Sequence, residues 1–339
     1  MNELLLYISI GITLCFAFVN GFHDGGNVIA TIICSRSMHP IRAVVIATIA
    51  EFVGPLTLGL AVAHTMSGSI LKPELLEQAP ARQVYILIIS GVGGAIAWKL
   101  PTWFIGLPAS GSHALVGGLI GAGLVAMGKE AVEVEKVMKG VVLPLLVSPA
   151  IGLAMGFFVF ATIRALFGRA HRGVGRIFEF LQRPTMFFLA ASHGSNDAQK
   201  SMGVVAVVFA AGGGEMHGDL YLPEWAIVAC AAALALGLSL GGWRIVKTVG
   251  YGICRMEPVH SFASQLTATS VILAASLIGG PVSTTQVVAS SVMGVGASRR
   301  LSGVRWTAAA HIAYAWLLTV PVSAALGAAI YWLLANSID

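Results

Sequence analysis

Long apolar runs separated by short polar turns make up almost the whole chain. A membrane-spanning helix needs about 20 predominantly apolar residues, and most of the runs reach or approach that length. The pattern predicts ten helical segments, at residues 4–34, 41–63, 84–100, 102–127, 140–167, 184–211, 225–242, 262–279, 281–296 and 304–334. Polar side chains inside such runs are costly, so we treat them as candidates for function.

The charged residues between the runs predict an orientation. Residues 168–183 carry four arginines: Arg169, Arg172, Arg176 and Arg183. Because loops rich in Lys and Arg stay on the cytoplasmic side, we interpret this stretch as a cytoplasmic basic linker between a first half, 1–167, and a second half, 184–339. Residues 212–224 contain no Lys or Arg and are predicted outside. Five segments per half, with both termini outside, would insert the halves in opposite orientations, as inverted repeats do.

Composition agrees with a membrane protein. The 339 residues are 57% hydrophobic and only 10% charged, whereas soluble domains carry about 25% charged residues. We therefore expect an all-α, multi-pass protein of the cytoplasmic membrane, with the lipid bilayer around it. The net charge of +5 comes from scattered short loops, so nucleic acid is not an expected partner. The four cysteines lie far apart, without metal-ligand spacing, and are interpreted as small buried residues.

Two polar motifs each occur twice. The stretch Asn20–Asn27 has a counterpart at Ser192–Asp197, and Pro108–His113 has one at Pro281–Gln286. The acidic residues of the first pair and the opening prolines of the second are both 173 positions apart, 24 to 197 and 108 to 281. A constellation that repeats at a constant offset in so apolar a chain predicts one ion-binding site built from four pieces.

The second pair of motifs contains hydroxyl clusters that follow a proline and precede an apolar run: Ser110, Gly111 and Ser112, and then Ser283, Thr284 and Thr285. Such residues cap a helix and form its first turn, whose free N–H groups and dipole suit an oxyanion. Ser and Thr also cap or join packed helices without binding a ligand. Two clusters at matched positions favour a substrate site.

The runs around both clusters are too short for two full crossings. Residues 262–296 number only 35, and Pro101 and Pro108 interrupt the stretch 84–127. Irregular backbone at membrane depth is tolerated only where it is buried in protein or lines a cavity. We therefore predict two inverted repeats of about five membrane segments each, with re-entrant helical hairpins near the midplane.

Three acidic residues lie inside apolar runs: Asp24, Glu51 and Asp197. Asn27 and Asn196 add amide oxygens, and such hard oxygen ligands suit a small cation. The candidate Na⁺ ligands are therefore Asp24, Asn27, Asn196 and Asp197. The alternative for Asp197 is a structural ion pair with Lys200, one helical turn later. Asp24 has no basic residue nearby in the sequence.

Histidines flank the motifs at His23, His113 and His193. We interpret them as a hydrogen-bonded scaffold, with a proton relay as the alternative. An intramembrane hydrolase would pair Ser110 or Ser283 with a histidine. The second repeat has Gln286 where the first has His113, so a duplicated Ser–His pair is absent. The chain is therefore predicted not to be an enzyme.

The order of the motifs resembles the inorganic phosphate transporter (PiT) family. The matching stretches are Gly-Phe-His-Asp-Gly-Gly-Asn, His-Gly-Ser-Asn-Asp-Ala and Gly-Pro-Val-Ser-Thr-Thr-Gln, spread over almost the whole chain. The resemblance implies phosphate held by the hairpin tips, Na⁺ or H⁺ as the coupling ion and no organic cofactor. It also implies a homodimer, and a small soluble accessory protein as a further partner.

The resemblance also assigns individual residues. Asp24 and Asn27 match the first family signature, and Asn196 and Asp197 match the second. Glu51 sits where the family has a functional acid, Gln265 where many members have an acid, and Lys200 where the repeated signature often has Asn. The last two departures make the second half less anionic. Lys200 could act as a built-in cation, which argues against a symmetric pair of Na⁺ sites.

The resemblance thus implies a secondary active symporter that takes up phosphate by alternating access. One alternative is a sulfate/H⁺ symporter of the same fold, since a tetrahedral dianion fits the same pocket. Glu51 could favour phosphate by accepting a hydrogen bond from its protonated form. The other alternative is an anion channel, with the hydroxyl clusters as a selectivity filter.

Overall fold

The computed structural model describes residues 2–132, 134–168, 174–213 and 222–337, and these residues are almost entirely helical. The first half contains α1 (Asn2–Cys34), α2 (Pro40–Thr57), α3 (Ala61–Ser69), α4 (Pro73–Gln78), α5 (Ala81–Phe104), α6 (Gly111–Met127), α7 (Val134–Val137) and α8 (Leu143–Phe167). The second half contains α9 (Val174–Ala211), α10 (Glu224–Leu240), α11 (Trp243–Ile245), α12 (Pro258–Leu277), α13 (Thr284–Arg299) and α14 (Trp306–Ser337).

Several helices have the length and apolar character of membrane spans. Within the described ranges these are α1, α2, α5, α14 and residues 146–167 of α8. Helix α10 and the helical stretch 243–251 qualify together but are bent by 57° at the break between them. Helix α9 is 38 residues long and carries the polar motif in its middle. The all-α membrane architecture expected from the sequence is thus confirmed.

Two helical hairpins occupy matching positions in the two halves. The turn between α5 and α6 contains Gly106 with φ of 72°, and the turn between α12 and α13 contains Gly279 with φ of 74°. Both values lie in the left-handed region that favours glycine, and the two glycines are again 173 positions apart. The predicted interruption at Pro101 is wrong, because this proline lies inside α5. The chain turns only after Phe104.

The helices pair in a reciprocal pattern. Helix α1 packs on α10, and α9 packs on α2. Helix α14 lies against the hairpin of the first half, and α8 lies against the hairpin of the second. Each half therefore closes over the hairpin of the other, while α1 and α9 also contact one another in the centre. This pattern is compatible with two repeats of one architecture.

Backbone contact between α2 and α9 fixes the position of Glu51. A Cβ atom on Gly54 would lie 2.0 Å from the carbonyl oxygen of Ala191, and one on Gly194 would lie 2.3 Å from that of Glu51. Only glycine permits an approach this close. The two helices are thereby in backbone contact at Glu51 and about one helical turn after it.

Two further expected boundaries differ from the structure. Helix α2 ends at Thr57 and the chain resumes as α3 at Ala61, whereas one segment was expected over 41–63. Helix α9 begins at Val174, so the second part of the predicted linker is helical. Arg169, Arg172 and residues 214–221 lie outside the described residues. The domain boundaries and the sidedness remain predictions.

Gln182 belongs to the helical part of that linker and is fully buried. It accepts a hydrogen bond from Ser35 Oγ at 2.9 Å and donates one to Ser37 Oγ at 2.8 Å. These bonds tie the start of α9 to the turn between α1 and α2. The linker is therefore part of the packed structure in this region.

Replacing Gln182 with Ala should lower the free energy of unfolding by about 1–3 kcal/mol, because the two serines lose their buried partner. The measurement is denaturant or thermal unfolding of the purified protein in detergent micelles. Gln78→Ala, at the exposed end of α4, is the matched control and should unfold like the unchanged protein. Equal stability of the two variants would contradict the assignment.

Candidate functional site

Two buried carboxylates lie at the centre of the molecule, and each is paired with a buried lysine. Lys99 Nζ on α5 lies 2.8 Å from Asp24 Oδ2 on α1. Lys200 Nζ lies 2.5 Å from Asp197 Oδ1, one turn away on α9. All four side chains are at most 2% exposed. Breaking such a pair strands a buried charge, at a cost of about 3–5 kcal/mol, so both partners are held in place.

Asn20 joins the two ion pairs into one network. Its Oδ1 accepts a hydrogen bond from Lys99 Nζ at 2.5 Å, and its Nδ2 donates one to Asp197 Oδ2 at 2.8 Å. A continuous path of hydrogen bonds therefore runs from Asp24 through Lys99, Asn20 and Asp197 to Lys200. We call these five residues the central charge network. It connects α1, α5 and α9.

The hairpin tips end in the hydroxyl clusters, as expected. Ser110 is the N-cap of α6 and accepts from the His113 backbone N–H at 3.3 Å. Ser283 is the N-cap of α13 and accepts from the Gln286 N–H at the same distance. The cap prediction is thereby confirmed at both sites. All six predicted substrate-binding residues are buried: Ser110, Gly111, Ser112, Ser283, Thr284 and Thr285.

The two tips touch one another. Ser112 Oγ donates to the carbonyl oxygen of Val282 at 3.1 Å. Gln286 Nε2 lies 3.2 Å from His113 Nδ1, and these two residues are the 173-offset counterparts noted in the sequence. Two helix N-termini, which favour negative charge, therefore meet in the interior of the protein.

The second tip is also hydrogen-bonded to α1 and α9, the helices that carry the two Asn/Asp motifs. Thr284 Oγ1 lies 3.2 Å from Asp197 Oδ2 and donates to it. Lys200 Nζ donates to the Val282 carbonyl oxygen at 2.9 Å, and Asn27 Nδ2 donates to Thr285 Oγ1 at 3.3 Å. The carboxylate, the ammonium group and the hydroxyl cluster of this half thus form one contiguous site.

Glu51 and His193 form a further buried pair beside the network. The His193 Nδ1 atom lies 2.7 Å from Glu51 Oε1, and its Nε2 lies 3.5 Å from Asp197 Oδ2. Glu51 Oε2 is buried without a hydrogen-bond partner among the described residues. His23 Nδ1 similarly lies 2.7 Å from Asp24 Oδ1. Both histidines therefore lie within hydrogen-bonding distance of an acid, and their role as a scaffold stays a prediction.

Two predicted residues bond to partners outside the network. Gln265 Nε2 donates to Thr31 Oγ1 at 3.0 Å, and its Oε1 accepts from Thr185 Oγ1 at 2.9 Å. Asn196 Nδ2 donates to Ser276 Oγ at 2.9 Å. The amide oxygens of Asn27 and Asn196 are buried without partners in the part of the chain that the structure describes. They remain available to a ligand.

Sequence reasoning missed Lys99 and Asn20. Asp24 has no basic neighbour in the sequence, yet its cation comes from a helix that begins more than 50 positions later. A signal was present, since Lys99 is the single charged residue in the predicted segment 84–100. Charged residues inside apolar runs mark functional sites or their partners.

The donors around the carboxylates do not resemble a transition-metal site. Among the described residues no group of three or more His, Cys, Asp or Glu side chains could hold a metal ion. Oxygen atoms, amides and ammonium groups dominate the site instead. Helices of membrane length that enclose such a polar interior define a multi-pass α-helical membrane protein.

Comparisons with known proteins identify the family. The phosphate transporter family matches residues 20–175 and 168–327. A "Probable low-affinity inorganic phosphate transporter" of Bacillus subtilis is 37% identical over 337 residues, 98% of either chain. A protein of the same description from Rhizobium meliloti is 37% identical over 329 residues, 97% of this chain and 96% of that one. The chain belongs to the phosphate transporter family.

A solved structure shares the fold. It is described as "The sodium-dependent phosphate transporter" and matches with a TM-score of 0.90 and 26% identity, over 98% of this chain and 100% of that chain. The likeness agrees with the expected all-α, multi-pass membrane fold and is compatible with two repeats.

Gly111→Ala tests the contact between the first tip and the network. The added Cβ would lie 1.8 Å from Asn20 Oδ1 and 2.9 Å from Lys99 Nζ. Overpacking costs about 1–3 kcal/mol, and about 1.4 kcal/mol is a factor of ten, so displacement of the tip should lower phosphate affinity about 5- to 150-fold. The measurement is phosphate binding to the purified protein. Gly68→Ala adds a Cβ into open space and should leave binding unchanged; equal affinities would refute the contact.

Proposed function

We propose that this protein is a symporter that takes up inorganic phosphate across the cytoplasmic membrane, driven by a gradient of Na⁺ or H⁺. The observation that carries the proposal is the meeting of two hydroxyl-capped helix N-termini beside the central charge network. First-turn N–H groups lack partners within their own helix. Together with Ser and Thr hydroxyls they make a site for a tetrahedral oxyanion.

Phosphate would bind between the two tips. Ser112 and Thr284 now donate to Val282 and Asp197, and both hydroxyls would turn to the bound anion when the tips part. Binding would therefore exchange contacts between the tips for contacts with the substrate. Opening one tip at a time would give alternating access around a fixed midplane site, as in other repeat-built transporters.

The closed tips favour a transporter over a channel. A conducting channel needs a water-filled path through its filter, whereas all six tip residues are buried and the tips bond directly to one another. Movement of a charge across the membrane is worth about 2.3 kcal/mol per 100 mV. Uptake of an anion into a negative interior would therefore need a coupled cation.

The relatives' names extend the proposal to low-affinity uptake. Assembly as a homodimer and association with a small soluble accessory protein stay predictions of the family resemblance. The deciding experiment is uptake of radiolabelled phosphate into proteoliposomes under an imposed Na⁺ or H⁺ gradient. Gradient-driven accumulation is expected. Uptake that ignores both gradients would favour a channel, and no uptake of phosphate or sulfate would reject the proposal.

Glu51 is expected to set the preference for phosphate over sulfate. Its free carboxylate oxygen could accept a hydrogen bond from protonated phosphate, which sulfate cannot donate. Such a bond to a charged group is worth about 1.5–3 kcal/mol, so Glu51→Gln should make sulfate about ten times or more effective as a competitor of labelled phosphate uptake. Glu224→Gln, at an exposed helix end, is the control. If sulfate competes no better in Glu51→Gln than in the unchanged protein, Glu51 does not set the preference for phosphate.

Thr284→Ala should weaken phosphate binding more than Ser110→Ala. The Thr284 hydroxyl lies beside Asp197 in the network, whereas Ser110 caps its own helix, and loss of a cap costs about 1 kcal/mol. The half-saturating phosphate concentration for uptake measures the difference. Thr57→Ala, with an exposed hydroxyl that bonds its own helix, serves as the reference. The opposite order would show that the first tip binds the anion more strongly.

A further inference from the structure

We infer that the ammonium groups of Lys99 and Lys200 occupy the positions of coupling cations, so that this protein transports phosphate without Na⁺. The inference rests on the proposed function and concerns its ion dependence. The solved structure of the same fold is described as sodium-dependent. In this chain, buried ammonium groups lie beside Asp24 and Asp197.

The oxygen atoms around Lys200 are those that a small cation would use. Its Nζ contacts a carboxylate oxygen of Asp197 at 2.5 Å and the backbone carbonyl oxygen of Val282 at 2.9 Å. Carboxylate and carbonyl oxygens are the hard ligands preferred by such ions. One ligand lies on α9 and the other on the second hairpin tip. Lys200 therefore makes the link between tip and helix that a coupling ion would make.

Lys99 has the corresponding position under the first tip. Its Nζ contacts Asp24 Oδ2 at 2.8 Å and Asn20 Oδ1 at 2.5 Å, again a carboxylate and an uncharged oxygen. The tip residue Gly111 lies close by, since a Cβ there would be 2.9 Å from this ammonium group. Each hairpin tip thus has one lysine beside it.

Charge balance leaves neither carboxylate of the central charge network unpaired for Na⁺. Asp24 and Asp197 are each neutralised by a lysine, and Glu51 bonds to His193. The free amide oxygens of Asn27 and Asn196 are uncharged. A sodium ion placed beside either carboxylate would also meet the repulsion of a fixed ammonium group, which buried surroundings screen little.

The two lysines come from different positions in the two repeats. The residue 173 positions before Lys200 is Asn27, and the residue 173 positions after Lys99 is Ile272. The repeats therefore reach the same arrangement, a carboxylate with its own ammonium group, by unrelated substitutions. A shared ancestral residue does not explain this agreement, but a common electrostatic requirement does.

The first test uses the unchanged protein in proteoliposomes. Exchange of labelled for unlabelled phosphate at equilibrium, with no ion gradient, reports binding and alternating access alone. Uptake is then measured under a pH gradient, with Na⁺ either present or replaced by N-methyl-D-glucamine. We expect exchange and pH-driven uptake to be the same in both media. Exchange or uptake that stops without Na⁺ would overturn the inference but leave the proposed function intact, whereas loss of both in every medium would reject the function itself.

The second test restores a cation position. Lys200→Asn gives the second signature the residue that the first has at the equivalent position, Asn27. We expect Na⁺ to become a ligand of this variant, raising phosphate affinity about 5–150-fold, the usual range of coupling between two ligands. Lys99→Gln should behave similarly. Lys129→Asn, at an exposed site, is the matched control and should remain indifferent to Na⁺.

Thermal unfolding in detergent, with Na⁺ or N-methyl-D-glucamine, provides a readout that does not need transport. Na⁺ should stabilise Lys200→Asn and leave the unchanged protein unaffected, since a ligand stabilises the state that binds it. If Lys200→Asn binds phosphate more weakly and Na⁺ does not restore the affinity, the inference is overturned. Lys200 would then be a direct ligand of the anion.

Discussion

The central charge network is the interaction on which the rest of the site depends. Two carboxylates and two ammonium groups are buried where water cannot compensate them, so each must stay within bonding distance of its partner. The partners lie on α1, α5 and α9, and Lys200 extends the network to the second hairpin tip. The packing of these elements is therefore tied to their electrostatics. A shift of any one helix would strand a charge.

Backbone geometry supplies the other half of the arrangement. Each hairpin reverses at a left-handed glycine, and each returning helix starts at a serine cap. Two helix N-termini can therefore lie in the interior with their first-turn donors aimed at the same space. The positive ends of two helix dipoles therefore lie next to one another. The Asp197 carboxylate accepts a hydrogen bond from Thr284 at the second tip.

Much of the site could be predicted from the sequence, because its motifs are duplicated at a constant offset. The constant offset of 173 positions located the two tips, their caps and the acids beside them. Lys99 could not be found in that way, since its counterpart position is Ile272 and its partner lies on another helix. Pro101 misled for a different reason: a proline shows where a helix lacks a donor, and the structure tolerates that loss inside α5. The early start of α9 depends on the buried bonds of Gln182, which no local pattern reveals.

The two tips are nevertheless held unequally. The second tip is attached by an ammonium group at Val282 and by a hydroxyl on the Asp197 carboxylate. Hydrogen bonds with one charged partner are about twice as strong as neutral ones. The first tip touches the network through Gly111, which has no side chain, and donates a neutral hydroxyl bond from Ser112 to the opposite tip. Separating the second tip from α9 therefore costs more free energy than separating the first tip from the network. Because Lys200 occurs in the second repeat only, the two hairpins of a duplicated fold are attached with unequal strength.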